Sequence, residues 1–304
     1  MAQHCPKHNC RLTSDRKYMP EADAVVIEVE GLYKLPRKTK MGQVWVYVEM
    51  ESPAWRGNGM KTWKNLFNWT MTYRRDSDIP HFYGSLTKKN QEVNRTLRQE
   101  MFTSKNKSML WLVSNCNTPG KREIFVKQLQ KFTPVDVVGR CGKHVCPKGN
   151  NCEGSLLKNY KFYFAAENSN CRDYITEKAF RPFGHYILPV VRGGGNYSMY
   201  FPPKSYIDTD RFKSKKLLGS YRYLRNHLNF VDVHEKIFES YISVIEQYNA
   251  DIILNQMWVP FCTLCDRLNN QSKFRRLYRS IHDWWRGQER TSGYFCKKDE
   301  LARL

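Results

Sequence analysis

Eighteen residues, Lys161 to Lys178 (KFYFAAENSNCRDYITEK), constrain this chain more than any other stretch. Phe162 through Ala166 is an unbroken apolar run, the length of a strand buried on both faces. Glu167 through Arg172 is polar and turn-like. Asp173 through Phe180 reads as the start of a helix, with Asp173 as its cap and Ile175, Ala179 and Phe180 on its apolar side. A strand, a turn and a helix N-terminus together make an anion site, because unpaired N–H groups and the helix dipole face the turn. On that helix Tyr174, Glu177 and Lys178 stand at i, i+3 and i+4 and share one face. The face offers a ring for stacking, a carboxylate for hydroxyls and a cation for phosphate. An ordinary amphipathic helix with a Glu and a Lys in water has the same spacing, so spacing alone does not separate the two readings.

Upstream, Ala22 to Val29 and Gln43 to Val48 read as strands from their β-branched and aromatic content. The second runs into Glu49, Met50, Glu51, Ser52 and Pro53. Open α/β sheets keep their chemistry just past the carboxyl ends of strands; two solvated acids in a loop would look the same. Lys88 to Lys107 is charged and reads as an exposed helix plus linker. Ser108 to Ser114 begins a new apolar strand, and the domain boundary falls before it, giving domains 1–107 and 108–304. Glu123 to Phe132 is a helix by period, Val135 to Val138 a strand, Tyr186 to Val191 a strand, and Lys213 to Tyr223 and Val233 to Tyr248 helices. Strands alternating with helices predict parallel βαβ units. Gly193, Gly194 and Gly195 form a turn that either admits a nucleotide or is a plain loop. Asp76-Ser77-Asp78 and Asp208-Thr209-Asp210 imitate the DxD metal motif, but the triplet is short and common. The alternative is an ion-pair network of Arg74, Arg75, Asp76 and Asp78. The tail beyond Asn270 is basic and carries Trp284 and Trp285.

A net charge of +21 calls for an anionic partner or surface. Nucleic acid is the generic candidate, yet the lysines and arginines are scattered, with no basic block and no zinc-finger spacing. A nucleotide-sugar diphosphate is another anion that a basic site attracts. Hydrophobic content of 41% supports a real core. The ten cysteines include Cys262-Thr-Leu-Cys265, whose spacing suits zinc or redox chemistry. No second CxxC completes a four-cysteine zinc site. Sequons stand at Asn68, Asn94, Asn106, Asn196 and Asn270. Cysteines with sequons point to an oxidising, glycosylating lumen and favour structural disulfides over metal. Cys5 and Cys10 are spaced to close a short loop, and the remaining pairing stays open. No apolar run reaches transmembrane length and the first residues show no signal-like segment.

The motifs add what spacing cannot. ENS at Glu167 to Ser169 and DYITEK at Asp173 to Lys178 resemble the donor-binding signature of the α-1,3-fucosyltransferases, glycosyltransferase family ten. ESP at Glu51 to Pro53, FNWTMTYRRDSDI at Phe67 to Ile79, SNC at Ser114 to Cys116, Lys121-Arg122, and FPPKSYIDTDRF at Phe201 to Phe212 follow in the family's order. The resemblance runs from about residue 20 to residue 265. It implies an α/β, GT-B-type fold with two Rossmann-like domains facing across a cleft, an acceptor-side domain over 1–107 and a donor domain over 108–304. It implies inverting transfer of fucose from GDP-β-L-fucose to a GlcNAc-containing glycan or glycoprotein. Arg122 and Lys178 match the residues that hold the diphosphate, Glu177 the one that binds the ribose hydroxyls, and Asn168 and Tyr174 other donor-pocket residues. Glu51 matches the general base, with Glu49 its rival. No cofactor or metal is required by this architecture, and no nucleic acid is a partner. Family members are type II proteins of the Golgi cisterna membrane acting in its lumen. This chain shows no anchor, and the family's first strand is expected to be missing. Pro182 should stop the signature helix within about a turn. An inactive GDP- or glycan-binding relative and a basic nucleic-acid-binding module are the alternative readings.

Overall fold

The computed structural model describes residues 5, 9–29, 35–55, 59–90, 95–142, 152–212, 217–252, 258–287 and 296–297 of the 304. In chain order the elements are β1 (Ala24–Glu28), β2 (Val44–Glu49), β3 (Trp69–Thr72), β4 (Ile79–Pro80), β5 (Gly84–Lys88), α1 (Arg95–Ser104), β6 (Lys107–Leu112), α2 (Arg122–Leu129) and β7 (Val135–Val138). There follow α3 (Cys152–Asn159), β8 (Tyr160–Ala166), α4 (Glu177–Phe180), β9 (Leu188–Arg192), β10 (Ile207–Asp208), α5 (Leu217–Val233), α6 (Glu235–Ile245), β11 (Tyr248–Ile252), α7 (Val259–Asn269) and α8 (Ile281–Arg286). The chain divides into two compact units. The first takes residues 1–83, 171–173 and 253–297; the second takes 84–170, 174–252 and 298–304.

The first unit is a parallel sheet in the order β1-β2-β3-β4. A parallel sheet must be covered on both faces, and among the described residues the only helical element between its strands is one 3-10 turn, Gly59–Thr62. Its helices come instead from the far end of the chain. Val44, Val46, Trp69, Met71 and Ile79 share one face with Leu264, and Phe261 and Leu268 of α7 pack against them. The other face meets α8: the ring centroids of Tyr47 and Tyr73 lie 5.7 and 5.6 Å from that of Trp285. The basic tail is therefore core of the first unit, which moves residues 253–297 out of the domain assigned to them from sequence and shifts the division from 107/108 to 83/84.

Cysteines make the same connection covalently. Cys5 bonds Cys262 and Cys10 bonds Cys265, closures of 257 and 255 residues. The short Cys5–Cys10 loop is not formed, and the CxxC pair is neither a redox couple nor a metal site. Each of its thiols lies on the first turns of α7 and faces a different N-terminal cysteine. Cys116–Cys141 and Cys171–Cys296 complete the disulfides among the described residues. The first pins the start of the loop at 139–153; residues 143–151 of that loop lie outside the described residues, as do 213–216 of the expected late helix.

The second unit is a parallel sheet in the order β10-β9-β8-β6-β7. Phe162, Tyr163, Phe164, Ala165 and Ala166 of β8 are all buried, as an unbroken apolar strand at the centre of a two-sided sheet requires. Phe125 of α2 stacks on Phe164, with centroids 5.6 Å apart and planes at 3°. Phe238 of α6 covers Phe162 edge-on. β5 and β11 form a separate antiparallel pair. Among the described residues no helix is long and apolar enough to cross a membrane.

Trp285 is fully buried. Trp285→Ala should destabilise the protein by about 3–5 kcal/mol, seen as a lower urea midpoint. An unchanged midpoint would show that α8 does not hold the first unit's sheet.

Candidate active site

The second unit's strand order reverses between β6 and β8, and open α/β sheets bind ligands at that switch point, beyond the carboxyl ends of the strands. Arg122 spans it. This buried first residue of α2 donates through Nη1 to the carbonyl of Ala166 at 2.7 Å and through Nη2 to that of Asn115 at 3.2 Å. The two acceptors close β8 and follow β6. Beside it the Gly120 N–H donates to the Asn168 carbonyl at 2.7 Å. A Cβ on Gly120 would lie 3.0 Å from that oxygen, so a side chain would force the two loops apart. Arg122 Nε and Asn168 Oδ1 are buried with no hydrogen-bond partner among the described residues. Two buried polar atoms at a switch point, with no partner among the described residues, are what a site for a polar ligand offers.

Glu167, the first residue past β8, is the hub of the cluster, and sequence reasoning passed over it as part of the turn. Its carboxylate accepts the Thr176 N–H at 2.8 Å and the Thr176 hydroxyl at 2.7 Å. Its own N–H donates to the Arg192 carbonyl at the end of β9. Lys178 Nζ lies 3.6 Å from Glu167 Oε2 and donates to Thr176 Oγ1 at 2.8 Å and Glu177 Oε1 at 3.1 Å. Burial raises the Glu167 carboxyl above the ordinary range, and Lys178 counters part of that rise. Burial pulls the Lys178 ammonium down, but Glu167 and Glu177 outweigh both burial and the repulsion from Arg122, so its proton is held more tightly than usual. Glu177 resolves the other way. Burial opposes its charge, Lys178 and Arg181 favour it more, and its carboxyl falls below the ordinary range. Burial draws the Arg122 guanidinium down, and Glu167 and Glu123 offset part of the fall. The signal that marks Glu167 in sequence is a lone acid directly after an unbroken buried strand.

The helix expected from Asp173 begins later. Asp173 has φ of 61°, in the left-handed region, and its carboxylate accepts the Arg75 N–H at 3.3 Å instead of capping a helix. Thr176 is the N-cap, and its hydroxyl serves Glu167 rather than the helix. Tyr174 therefore precedes the helix, does not share a helical face with Glu177 and Lys178, and is buried, with 1% of its surface exposed. After Phe180 the chain tightens into a 3-10 turn over Arg181–Gly184 containing Pro182, the early stop expected of that proline. The glycine turn serves packing. A Cβ on Gly193 would lie 3.1 Å from Glu167 Cγ, and one on Gly195 would lie 2.3 Å from Ile175 Cγ1.

Glu49 and Glu51 stand at the carboxyl end of β2, in the first unit. Glu49 is buried, and its Oε1 accepts the Glu51 N–H at 2.8 Å. Glu51 is half-buried, which leaves it the more accessible of the two. Asp76 and Asp78 are both engaged. Asp76 holds Arg74 through Nε at 2.8 Å and Nη2 at 2.6 Å, while Arg74 also lies over the Trp284 ring. Asp78 accepts from Thr70, Tyr278 and Arg276. The network differs from the one expected, since Asp78 pairs with Arg276 and the backbone N–H of Arg75 meets Asp173. Asp208 Oδ1 accepts the Asp210 N–H, a local turn. Among the sequons, Asn106 and Asn196 are exposed, Asn270 donates to the Asp266 carbonyl, and Asn94 lies outside the described residues. Asn68 is used three times: it accepts from the Trp45 N–H and the Lys38 ammonium and donates to the Arg276 carbonyl.

Two parallel sheets in a mixed α/β chain, one carrying a cationic cluster at its switch point, define a fold of the GT-B type. Crystal structures of an α1,3-fucosyltransferase with GDP-fucose and with GDP share this fold, with TM-scores of 0.51 and 0.52, each at 14% identity. They cover 78% and 84% of this chain and 80% of each crystallised chain. The family model for glycosyltransferase family 10 (fucosyltransferase), C-terminal part, matches residues 102–284, and the fucosyltransferase N-terminal model matches 1–84. An alpha-(1,3)-fucosyltransferase C of Drosophila melanogaster is 32% identical over 93% of this chain and 70% of its own length. A glycoprotein 3-alpha-L-fucosyltransferase A of the same fly is 32% identical over 93% of this chain and 56% of its own. A 4-galactosyl-N-acetylglucosaminide 3-alpha-L-fucosyltransferase of Homo sapiens is 35% identical over 91% and 75%. The chain belongs to glycosyltransferase family 10, the fucosyltransferases.

Lys178→Ala leaves Glu167 buried without its nearest cation. A carboxyl whose folded pKa is raised stabilises fully below its unfolded pKa and costs stability as pH rises through the folded value. The substitution raises that value further, so its penalty should grow from pH 5 to pH 8, reaching about 3 kcal/mol. Denaturant melts at the two pH values check this; an equal loss at both would show that Lys178 does not neutralise Glu167.

Proposed function

We propose that this protein is an inverting α-1,3-fucosyltransferase that moves fucose from GDP-β-L-fucose to a GlcNAc hydroxyl of a glycan or glycoprotein. The observation that carries the reading is the Arg122–Glu167–Lys178 cluster at the switch point of a family 10 chain. Transfer needs the leaving diphosphate neutralised, the acceptor hydroxyl deprotonated and the oxocarbenium-like centre stabilised. Arg122 and Lys178 are the cations for the diphosphate, the guanidinium gripping two oxygens and the ammonium acting as a point charge. Glu177, held anionic beside Lys178, accepts from the ribose hydroxyls. Asn168, whose Oδ1 has no partner among the described residues, takes a donor-pocket hydrogen bond, while Tyr174 supports the pocket from within the core. Glu51 is the general base. Buried Glu49, hydrogen-bonded to its backbone, holds the turn that presents it.

The reaction uses no metal. Asp76 and Asp78 spend their carboxylates on Arg74, Arg276, Thr70 and Tyr278, so a cation would have to break an existing network to bind there. The four disulfides among the described residues accord with maturation in an oxidising compartment and with work in the Golgi lumen beside the cisterna membrane. Which glycan it accepts, a Lewis-type antenna or an N-glycan core, is a matter for the same assay.

The protein, incubated with GDP-fucose and a panel of GlcNAc-terminated and core glycans, should add one fucose in α-1,3 linkage, as read by mass spectrometry. EDTA should leave the rate unchanged. Binding of GDP with no transfer to any glycan would overturn the enzymatic reading. In protein from a glycosylating host, Asn106 and Asn196 should carry glycans and Asn68 should not, because its amide is already committed. Peptide mapping decides this; an occupied Asn68 would mean that site is modified before it folds.

A further inference from the structure

Glu167 lies behind the predicted donor contact Lys178, 3.6 Å from its Nζ, and both side-chain hydrogen bonds it accepts come from Thr176, which Lys178 also meets. Both its oxygens are taken by Thr176, through the N–H and the hydroxyl. A hydroxyl has one hydrogen. Because Thr176 gives its hydrogen to Glu167, only lone pairs are left facing Lys178, and Lys178 donates to them at 2.8 Å. A second Lys178 hydrogen goes to Glu177 Oε1 at 3.1 Å. Glu167 Oε2, at 3.6 Å from Nζ, is an ion-pair partner beyond hydrogen-bond reach. That leaves one Lys178 N–H without an acceptor among the described residues, on a side chain 18% exposed. Glu167 itself has no room to withdraw, since Gly193 is packed against its Cγ so closely that a Cβ there would sit at 3.1 Å.

Building on the donor-site reading above, we infer that Glu167 is a positioning residue for donor binding: acting through the Thr176 hydroxyl, it fixes the direction in which Lys178 presents its remaining N–H to a nucleoside diphosphate. The relay is directional. A glutamine at 167 would offer one acceptor and one amide donor. With its acceptor on the Thr176 N–H, its donor would meet the hydroxyl oxygen, turn the hydroxyl hydrogen toward Lys178 and repel the ammonium. A valine at 176 keeps the shape and removes the relay. A serine at 176 keeps the hydroxyl.

The test is calorimetric titration of the purified protein with GDP and with guanosine, which lacks phosphate. Wild type should bind GDP more tightly than guanosine. Thr176→Val and Glu167→Gln should each weaken GDP by roughly tenfold, within the range of coupled polar neighbours, while guanosine affinity stays put. Thr176→Ser, which retains the relay, should recover most of the GDP affinity. Loss of GDP and guanosine binding in equal proportion would mean that the cluster merely supports the fold and would overturn the inference, as would variants that bind GDP like wild type. If Glu167→Gln fails to fold, the contrast of valine with serine at 176 still decides. Failure of wild type itself to bind GDP would count against the donor site and not against the relay.

Discussion

A carboxylate sealed from water beside a single ammonium sets the terms for the second unit. At 3.6 Å and an effective dielectric near 20, the Glu167–Lys178 attraction is roughly 5 kcal/mol. The penalty for removing both charges from water is of the same order. The pair alone therefore decides little, and the two hydrogen bonds from Thr176 tip the balance toward an ionised, ordered Glu167. The consequence is positional. The chain after β8 must return to place Thr176 against Glu167, and Lys178, two residues on, is carried to the switch point. There Arg122 already bridges the carbonyls beyond β6 and β8. Two cations thus meet at one edge of one sheet, Lys178 beside the Glu167 and Glu177 carboxylates and Arg122 on backbone carbonyls.

The first unit answers a different constraint. Four parallel strands with no helix between them among the described residues leave two apolar faces uncovered, and the only segments able to cover them come after the second unit. α7 covers one face and α8 the other. Helices recruited from so far along the chain carry a loop-closure cost that grows slowly with length. Two disulfides spanning more than 250 residues remove most of it from the folded protein's disadvantage by holding the unfolded chain together. Asp78 adds a polar tie, joining Thr70 of β3 to Arg276 and Tyr278 ahead of α8.

Strands were the most legible elements. Val135–Val138 falls on its expected bounds, and β1, β2, β6, β8 and β9 fall within two residues of theirs, because apolar β-branched runs bury the same way in any parallel sheet. The signature helix was less so. Its i, i+3, i+4 spacing did not put Tyr174 on a helical face, because Asp173 spends its carboxylate on the Arg75 backbone and takes a left-handed conformation, and neither fact is written in the local pattern. β3 escaped notice because its alternation, Trp69, Thr70, Met71 and Thr72, lasts only four residues; all four positions are buried, the two threonines included. The division of the chain was misplaced for the same kind of reason: Trp284 and Trp285 look like an exposed basic tail until a sheet is there for them to cover.

Taken alone, the order of residues determined the family and the parallel α/β class, and it singled out Arg122 and Lys178, which the fold brings to one edge of the second sheet. Those follow from local hydrophobic period and from motifs whose side chains must be chemically what they are. Tertiary structure alone decided that Glu167 sits behind Lys178, that the CxxC thiols each face the N-terminus, and that the last helices belong to the first sheet. Each depends on which distant groups become neighbours once water is excluded, and a one-dimensional pattern carries no term for that.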